Sequence, residues 1–165
     1  MKRGWSHDGG YVDMPGTPLY AFGYGLSYTS FQYKNLHVDP VQLNSSGTVK
    51  VTVDVQNTGK LAGTEVVQMY LHERYAPVSL PFEQLRGFDR VSLEPGETKT
   101  VTLTIRPEDM ALLDRDMLWK VSPGIFDVMI GRSAQDIVLH DSFEIKQASG
   151  PLADRGISTQ PDLSR

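Results

Sequence analysis

The 165-residue sequence contains no cysteine. This excludes disulfide bonds, thiolate nucleophiles and zinc sites built on thiolates, and it leaves the redox compartment undetermined. The sequence also lacks any apolar run near the ~20 residues that a membrane-spanning helix needs, so no membrane partner is expected. Lys2 and Arg3 stand near the N-terminus, but no apolar segment follows them, and this start is not typical of a secretory signal.

The sequence also has fewer basic residues than acidic ones. The chain has 16 Lys and Arg against 20 Asp and Glu, a formal net charge of -4. Since no cluster of basic residues is interleaved with aromatic ones, the sequence predicts no nucleic-acid partner. The 39% hydrophobic and 22% charged residues are ordinary for a globular protein. The length fits one domain with appendages.

Residues that could carry catalysis or bind a metal are scattered. The four histidines fall in four separate elements: His7, His37, His72 and His140. No pair of them has the spacing of a metal site, and no Gly-x-Ser-x-Gly motif is present. Nearby carboxylates occur as three pairs, Glu65 with Glu73, Glu108 with Asp109, and Asp114 with Asp116. Acids at strand edges and turns are typical of solvated surfaces, so we predict no catalytic, metal-binding or cofactor-binding residue.

Short amphipathic segments dominate the middle of the chain. The clearest runs from residue 48 to 56, where four valines alternate with polar residues, as expected for a strand with one wet face. Strands are predicted at 31–38, 48–56, 64–71, 98–106, 116–121, 126–130 and 137–145. An apolar stretch at 84–93 and a helical turn at 107–113 complete the pattern. Gly131 is expected to end the sixth strand.

About seven short strands separated by Gly/Pro turns predict an all-β fold, an antiparallel β-sandwich of immunoglobulin-like or fibronectin type III-like kind. We place this sandwich at residues 32–146. An irregular aromatic arm, 1–31, precedes it, and a tail at 147–165 is predicted to be disordered. The alternative is a tail docked through Leu152 and Ile157.

Two segments differ from this regular pattern. In 64–71, both rows of side chains are largely apolar, so this strand is either central and covered on both sides or docks a partner with its second face. In the arm, Gly23 and Gly25 alternate with bulky rings, which fits neither a helix nor a strand. Its rings either cap the domain's own core or clamp the domain to another one. The mixed pattern of 31–38 predicts an edge strand.

Exposed aromatic side chains could also form platforms that stack on sugars. The candidates are Trp5, Tyr24, Tyr28, Tyr70, Tyr75 and Trp119. Packing in the core or between domains is the other interpretation, because aromatic side chains bury much area.

Several ordered motifs support a resemblance to a known family. They are the segment 18–31 (PLYAFGYGLSYTSF), 53–59 (VDVQNTG), 63–70 (GTEVVQMY), 84–88 (QLRGF), 93–98 (LEPGET), and 123–131 from PGIF to IG. Together they resemble the connector and the C-terminal fibronectin type III-like domain of glycoside hydrolase family 3 β-glucosidases and β-xylosidases. The resemblance covers roughly residues 11–146. One departure is Ala21, where the family usually has Pro.

The resemblance implies an accessory module rather than an enzyme. In that family the nucleophilic Asp and the acid/base Glu come from an N-terminal barrel and a following α/β sandwich, and neither is in these residues. No catalytic residue can therefore be carried over. The implied partners are the catalytic domains of a parent glycosidase, which the module supports, and self-association stays open. A secreted or periplasmic parent is compatible with the resemblance, but the sequence does not settle the compartment.

The resemblance also yields candidate contact residues. We expect side chains of the arm and of strand 64–71 to be exposed here and to dock on the missing domains: Tyr20, Phe22, Tyr24, Tyr28, Val66, Gln68 and Tyr70. Arg74 and Tyr75, at the start of the proline-rich loop 72–83, are expected to lie at the rim of the parent's cleft. Two alternatives are an independent carbohydrate-binding module and a free-standing adhesion-type domain.

Overall fold

The computed structural model describes residues 18–44, 47–75, 83–113 and 117–152, which form a β-sandwich. Its strands are β1 (Phe31–Asp39), β2 (Gln42–Leu43), β3 (Val49–Asn57), β4 (Gly63–Glu73), β5 (Gln84–Leu93), β6 (Thr98–Ile105), β7 (Leu112–Leu113), β8 (Trp119–Lys120), β9 (Gly124–Ser133) and β10 (Asp136–Ile145), and its short helix is α1 (Pro107–Met110). One sheet has the order β1-β3-β6, a second the order β2-β10-β9-β4-β5, and β7 pairs with β8. The predicted all-β sandwich is confirmed. Predictions for Trp5, His7, Asp114, Asp116 and Ile157 lie outside the described residues.

The core lies between the three-stranded and the five-stranded sheets. The four alternating valines of β3 are at most 1% exposed, and they face the buried rows of β4 and β9. Each such side chain contributes about 1.5–3 kcal/mol relative to an exposed one. The opposite face of β3 and its neighbour β6 is polar, with cross-strand pairs such as Lys50–Thr104, Thr52–Thr102 and Asp54–Thr100. The alternation of β3 thus separates a dry face from a wet one.

The ambiguous pattern of the first strand comes from a bulge. The pairing of β1 with β3 shifts between Lys34 and His37, and Asn35 has a positive φ of 54°. Phe31 and Tyr33 point inward before the bulge, and Val38 does so after it. One extra residue moves the apolar positions from one parity to the other. β1 lies at the edge of its sheet, as predicted.

Strand β4 is central in the five-stranded sheet, between β5 and β9. Its neighbour β5 was predicted only as an apolar stretch, because its apolar residues do not alternate. The β4–β5 register explains this: Met69 pairs with Gly87 and Tyr70 with Leu85, so Arg86 is the extra residue of a bulge.

Strand β9 corrects the prediction that Gly131 ends it, since it continues to Ser133. A Cβ on Gly131 would collide with the backbone of Asp136 and Ile137, where β9 turns back into β10. The glycine therefore marks a close approach of two strands rather than a chain break.

Residues 147–152 form hydrogen bonds with the sandwich. The Ser149 amide donates to Val121 O at 3.0 Å, and the Leu152 amide donates to Trp119 O at 2.8 Å. The Leu152 side chain packs against the core. Both predictions for the tail, disordered or docked, extend to residues outside the described ranges. Among the described residues no helix is long and apolar enough to cross a membrane.

Candidate docking site

The described part of the arm, residues 18–30, lies against the outer face of the five-stranded sheet. Its backbone turns at Ala21, whose carbonyl accepts from the Tyr24 amide at 3.0 Å. The Phe22 carbonyl accepts from the Ala134 amide at 2.9 Å, at the tip between β9 and β10. The end of the arm is held by the Thr58 amide, which donates to Ser30 O at 2.8 Å. Backbone groups thus fix much of the path of the arm, and its aromatic side chains take no part in these hydrogen bonds.

Gln68 is the main side chain that joins the arm to the sheet. It is 5% exposed, and its Nε2 donates to Gly23 O at 2.9 Å and to Arg132 O at 2.6 Å. Its Oε1 accepts from the Tyr70 hydroxyl at 2.6 Å. Gly23 has a φ of +78°, and a Cβ there would collide with the Gln68 amide. Only glycine allows this approach without strain.

The burial of Gln68 and Tyr70 corrects the prediction that both are exposed docking residues. Tyr70 is only 1% exposed, although it points away from the core. The arm covers Gln68, which accepts from the Tyr70 hydroxyl, and Tyr70 is flanked by Leu85 of β5 and Met129 of β9. This part of β4 is therefore covered on both sides, which is one of the two alternatives left open by the sequence. Any effect of Gln68 and Tyr70 on a partner must therefore act through the arm.

The remaining predicted docking side chains are exposed. Tyr20 is 65%, Phe22 67%, Tyr24 50% and Tyr28 99% exposed, and Val66 is 37% exposed. The rings of Tyr20 and Tyr24 lie 5.1 Å apart, centroid to centroid. Of the aromatic side chains in residues 18–31, only that of Phe31, at the junction with β1, enters the core. The exposed rings therefore do not cap the domain's own interior.

Between the arm and the sheet runs an open groove of about 810 Å³, which we call the arm groove. Its walls include Phe22 and Tyr24 from the arm and Val66 and Phe88 from β4 and β5. Phe88, Leu19 and Leu26 add exposed apolar surface that the sequence analysis did not assign to docking. Phe88 has the opposite parity to the buried Val91 and Leu93, so alternation along the end of β5 is the signal that could have found it. A concentration of exposed apolar side chains of this kind marks an interaction site.

The inward-facing acids of β4 are not a catalytic pair. Glu65 and Glu73 are eight residues apart on one extended strand, about 26 Å at ~3.3 Å per residue. Two carboxylates that cleave a glycosidic bond lie roughly 5–10 Å apart.

Glu65 accepts a hydrogen bond from the Tyr33 hydroxyl at 2.7 Å. Burial raises the pKa of Glu65, and this hydrogen bond partly opposes the shift; burial and the nearby Glu65 also raise the pKa of Tyr33. Within the described ranges, no three or more His, Cys, Asp and Glu residues are grouped to hold a metal ion.

Glu73 is buried without a hydrogen-bond partner among the described residues. It is 7% exposed, and neither carboxylate oxygen is bonded. Burial raises the pKa of its side chain above the ordinary value of 4.5, so the fold favours the protonated form. The Glu73 contribution to stability is therefore greatest below pH 4.5 and is lost as the pH rises through the folded-state pKa.

We expect Glu73→Gln to remove part of the loss of stability that accompanies a rise in pH from 4 to 7, because the amide never ionises. Thermal denaturation at pH 4, 5.5 and 7 measures this, and the variant should gain most relative to the original at pH 7. The matched control is Glu94→Gln at an exposed site, which should keep the original pH dependence. An equal shift of the Glu73 variant at all three pH values would contradict the assignment.

The other predicted residues are placed as follows. Arg74 forms a bidentate ion pair with Asp127, with Nε at 3.0 Å from both carboxylate oxygens and Nη2 at 2.7 Å from Oδ1. Tyr75 is 81% exposed. Trp119 is half-buried and packs against the core, so it offers no open platform for a sugar. Of the aromatic platform candidates, Tyr24, Tyr28 and Tyr75 present exposed rings.

Comparison with known proteins agrees with this architecture. The fibronectin type III-like domain family matches residues 65–134. A β-xylosidase from Formosa agariphila is 44% identical over 119 residues, which are 72% of this chain and 16% of that protein. The thermostable β-glucosidase B of Acetivibrio thermocellus is 42% identical over 137 residues, 82% of this chain and 18% of that protein.

A solved structure of a β-glucosidase from Listeria innocua in complex with glucose superimposes with a TM-score of 0.76 at 34% identity, over 84% of this chain and 19% of that one. The chain thus spans less than a fifth of the length of these relatives. The match is to a fibronectin type III-like domain and not to the catalytic domains of these relatives. The chain belongs to the fibronectin type III-like domain family, in the form carried by family 3 β-glucosidases and β-xylosidases.

Proposed function

We propose that this chain is the accessory domain of a family 3 glycoside hydrolase of the β-glucosidase or β-xylosidase type, and that it packs on the catalytic domains and stabilises them. Its relatives carry the matching segment within proteins more than five times as long. The parent would hydrolyse terminal β-linked sugars, and the present chain would contribute a docking surface without reacting groups.

The observation that carries the proposal is the contrast between the outer faces of the two sheets. The three-stranded sheet presents threonines and charged residues from β3 and β6, as a solvated surface does. The five-stranded sheet instead carries the arm, whose rings at Tyr20, Phe22 and Tyr28 are at least 65% exposed. Burial of such rings against a second domain would gain about 1.5–3 kcal/mol for each. This supports docking through the arm and the arm groove.

A chimeric enzyme tests the proposal. In β-glucosidase B of A. thermocellus, the segment aligned with this domain would be replaced by the present chain. We expect the chimera to fold and to hydrolyse an aryl β-glucoside. Combined substitution of Tyr20, Phe22 and Tyr28 with Ser should lower its melting temperature by at least several degrees and reduce turnover, because an apolar interface is lost.

Two controls separate docking from other roles. The same three substitutions in the isolated chain should leave its melting temperature within about 2 °C, because the rings are outside its core. Substitution of Thr100, Thr102 and Thr104 with Ser, on the polar face, should leave the chimera's turnover unchanged. If the chimera with the three ring substitutions has the same melting temperature and turnover as the unsubstituted chimera, docking through the arm is refuted. Concentration-dependent dimerisation of the isolated chain that the ring variant abolishes would instead assign the arm to self-association.

A further inference from the structure

A second groove opens on the outer face of the five-stranded sheet. It has a volume of about 470 Å³, and we call it the polar groove. Its residues come from neighbouring segments: β4 provides His72, Arg74 directly follows β4, β9 provides Asp127 and Met129, and β10 provides His140. The polar groove adjoins the arm groove, because Gln135 lines both, but none of the arm rings lines it.

The strand register arranges the residues of the polar groove in two neighbouring cross-strand rows. Met129 pairs with Tyr70 on one side and with His140 on the other. In the next row, Asp127 pairs with His72. Met129 is buried, so it provides an apolar floor beneath polar walls. His72, Asp127, Met129 and His140 sit on paired strands, and the amide of Arg74, just after β4, donates to Ile125 O at 3.1 Å. Their backbone positions are therefore fixed before any ligand arrives, which lowers the entropic cost of binding.

The bidentate ion pair supplies donors and acceptors side by side. Arg74 uses Nε and Nη2 to hold Asp127, which leaves Nη1 able to donate to a ligand. Asp127 has lone pairs beyond those that the guanidinium engages, so it can accept from a hydroxyl. The Arg74 and Asp127 side chains are 46% and 25% exposed, which keeps both within reach of solvent. Arg74 can therefore donate to one hydroxyl of a ligand while Asp127 accepts from the neighbouring hydroxyl.

The charge of the groove distinguishes between ligand classes. The positive charge of Arg74 is already balanced by Asp127, and Glu83 on the groove wall adds a negative charge. A phosphate or carboxylate would meet both acids, and a cation would meet the guanidinium. A neutral polyhydroxylated ligand meets neither conflict and can lay a C–H face on Met129 and Ile137. The groove volume lies within the roughly 300–1,000 Å³ of small-molecule sites.

We propose that the polar groove binds a neutral saccharide, with Arg74 and Asp127 contacting adjacent hydroxyl groups of one sugar ring. This site is separate from the docking role and does not depend on it.

Titration of the full 165-residue chain with cellotetraose and with xylotetraose, followed by ¹H–¹⁵N NMR, tests the site. We expect saturable shifts of the amides of His72, Asp127 and His140, and little change in β3 and β6 of the other sheet. Asp127→Asn should weaken binding about tenfold or more, because the amide breaks the ion pair and replaces an acceptor with a donor. Arg74→Lys should weaken it as well, since an ammonium cannot hold the bidentate geometry.

The controls define what overturns the proposal. Asp89→Asn on β5 removes an exposed acid outside the groove and should leave binding unchanged. Binding of the neutral saccharide should also be insensitive to salt between 0.05 and 0.5 M, unlike that of an ion. Shifts at these amides with inorganic phosphate but not with either saccharide would overturn the proposal in favour of an anion site. Absence of shifts at 50 mM saccharide, with unchanged spectra of the folded chain, would overturn it outright.

Discussion

Gly23→Ala is expected to loosen the arm and lower the melting temperature of the chain by about 5–15 °C. The new Cβ would collide with the buried Gln68 amide at a position where φ is +78°. The left-handed backbone costs about 1–2 kcal/mol for a residue with a Cβ. Displacement of Gln68 removes partners from buried polar groups, at about 1–3 kcal/mol. Thermal denaturation measures the total, and hydrogen exchange of the Ala134 amide, which donates to Phe22 O, reports release of the arm.

Substitutions at two other glycines separate the cost of the left-handed backbone from the cost of displacing Gln68. A Cβ on Gly96 would meet no atom within 4 Å, but its φ is +79°, so Gly96→Ala should show the backbone cost alone. Gly25 has open space and no positive φ, so Gly25→Ala should be close to neutral. Ranking by melting temperature should place the Gly25 variant highest, the Gly96 variant next and the Gly23 variant lowest. Equal melting temperatures for the Gly23 and Gly96 variants would mean that the contact with Gln68 does not stabilise the arm.

Asn57→Asp is expected to destabilise the domain by about 3–5 kcal/mol at neutral pH. Asn57 is fully buried, and its Nδ2 donates to Leu61 O at 2.7 Å and to Leu93 O at 3.1 Å. Its Oδ1 accepts from Thr29 Oγ1 at 2.8 Å and from the Gly59 amide at 3.0 Å. The substitution would place a charged oxygen against the carbonyl oxygens of Leu61 and Leu93 at a fully buried position. Such a loss is a large part of the ~5–15 kcal/mol that stabilises a typical domain.

The same substitution has a predictable pH dependence. A buried carboxyl facing carbonyls has a raised pKa, so protonation restores a neutral group with one donor. The deficit in unfolding free energy should therefore shrink as the pH falls from 7 to 4. Urea denaturation at both pH values measures it. Asn44→Asp, at an exposed position, is the control and should cost less than about 0.5 kcal/mol. A deficit at Asn57 that is the same at both pH values would show that lost packing, rather than charge, destabilises the variant.

Asn57 illustrates how a local motif acquires a larger role in the fold. The sequence shows Asn-Thr-Gly at residues 57–59, which is ordinary turn chemistry. In the structure, the side chain ties the end of the arm at Thr29 to the turn after β3 and to the end of β5. Those three segments are far apart in sequence, so no local pattern could have revealed the connection. The side chains of Asn57 and Gln68, on different sheets, thus hold the arm in addition to its backbone hydrogen bonds with Ala134 and Thr58.

The sandwich itself could be predicted because its signal is local. Each strand of the pattern alternates apolar and polar residues over short distances, and burial of one face is a direct consequence of that period. β3 and β6 follow this rule, and their inward residues are buried as expected. The rule fails at β1 and β5, where a bulge shifts the parity of side chains within the strand. Bulges depend on the partner strand, so a single sequence does not mark them.

The sequence by itself determined the all-β sandwich, the ring-rich arm and the absence of thiol chemistry, because composition and short-range periodicity are sufficient for each. Only the tertiary structure decided that Gln68 and Tyr70 are buried while Phe88 is exposed. It also decided that Arg74 meets Asp127, 53 residues further along the chain, in a groove built from three strands. The physical reason is that exposure and ion pairing depend on which distant segments pack together, and that arrangement follows from strand register and close backbone approach.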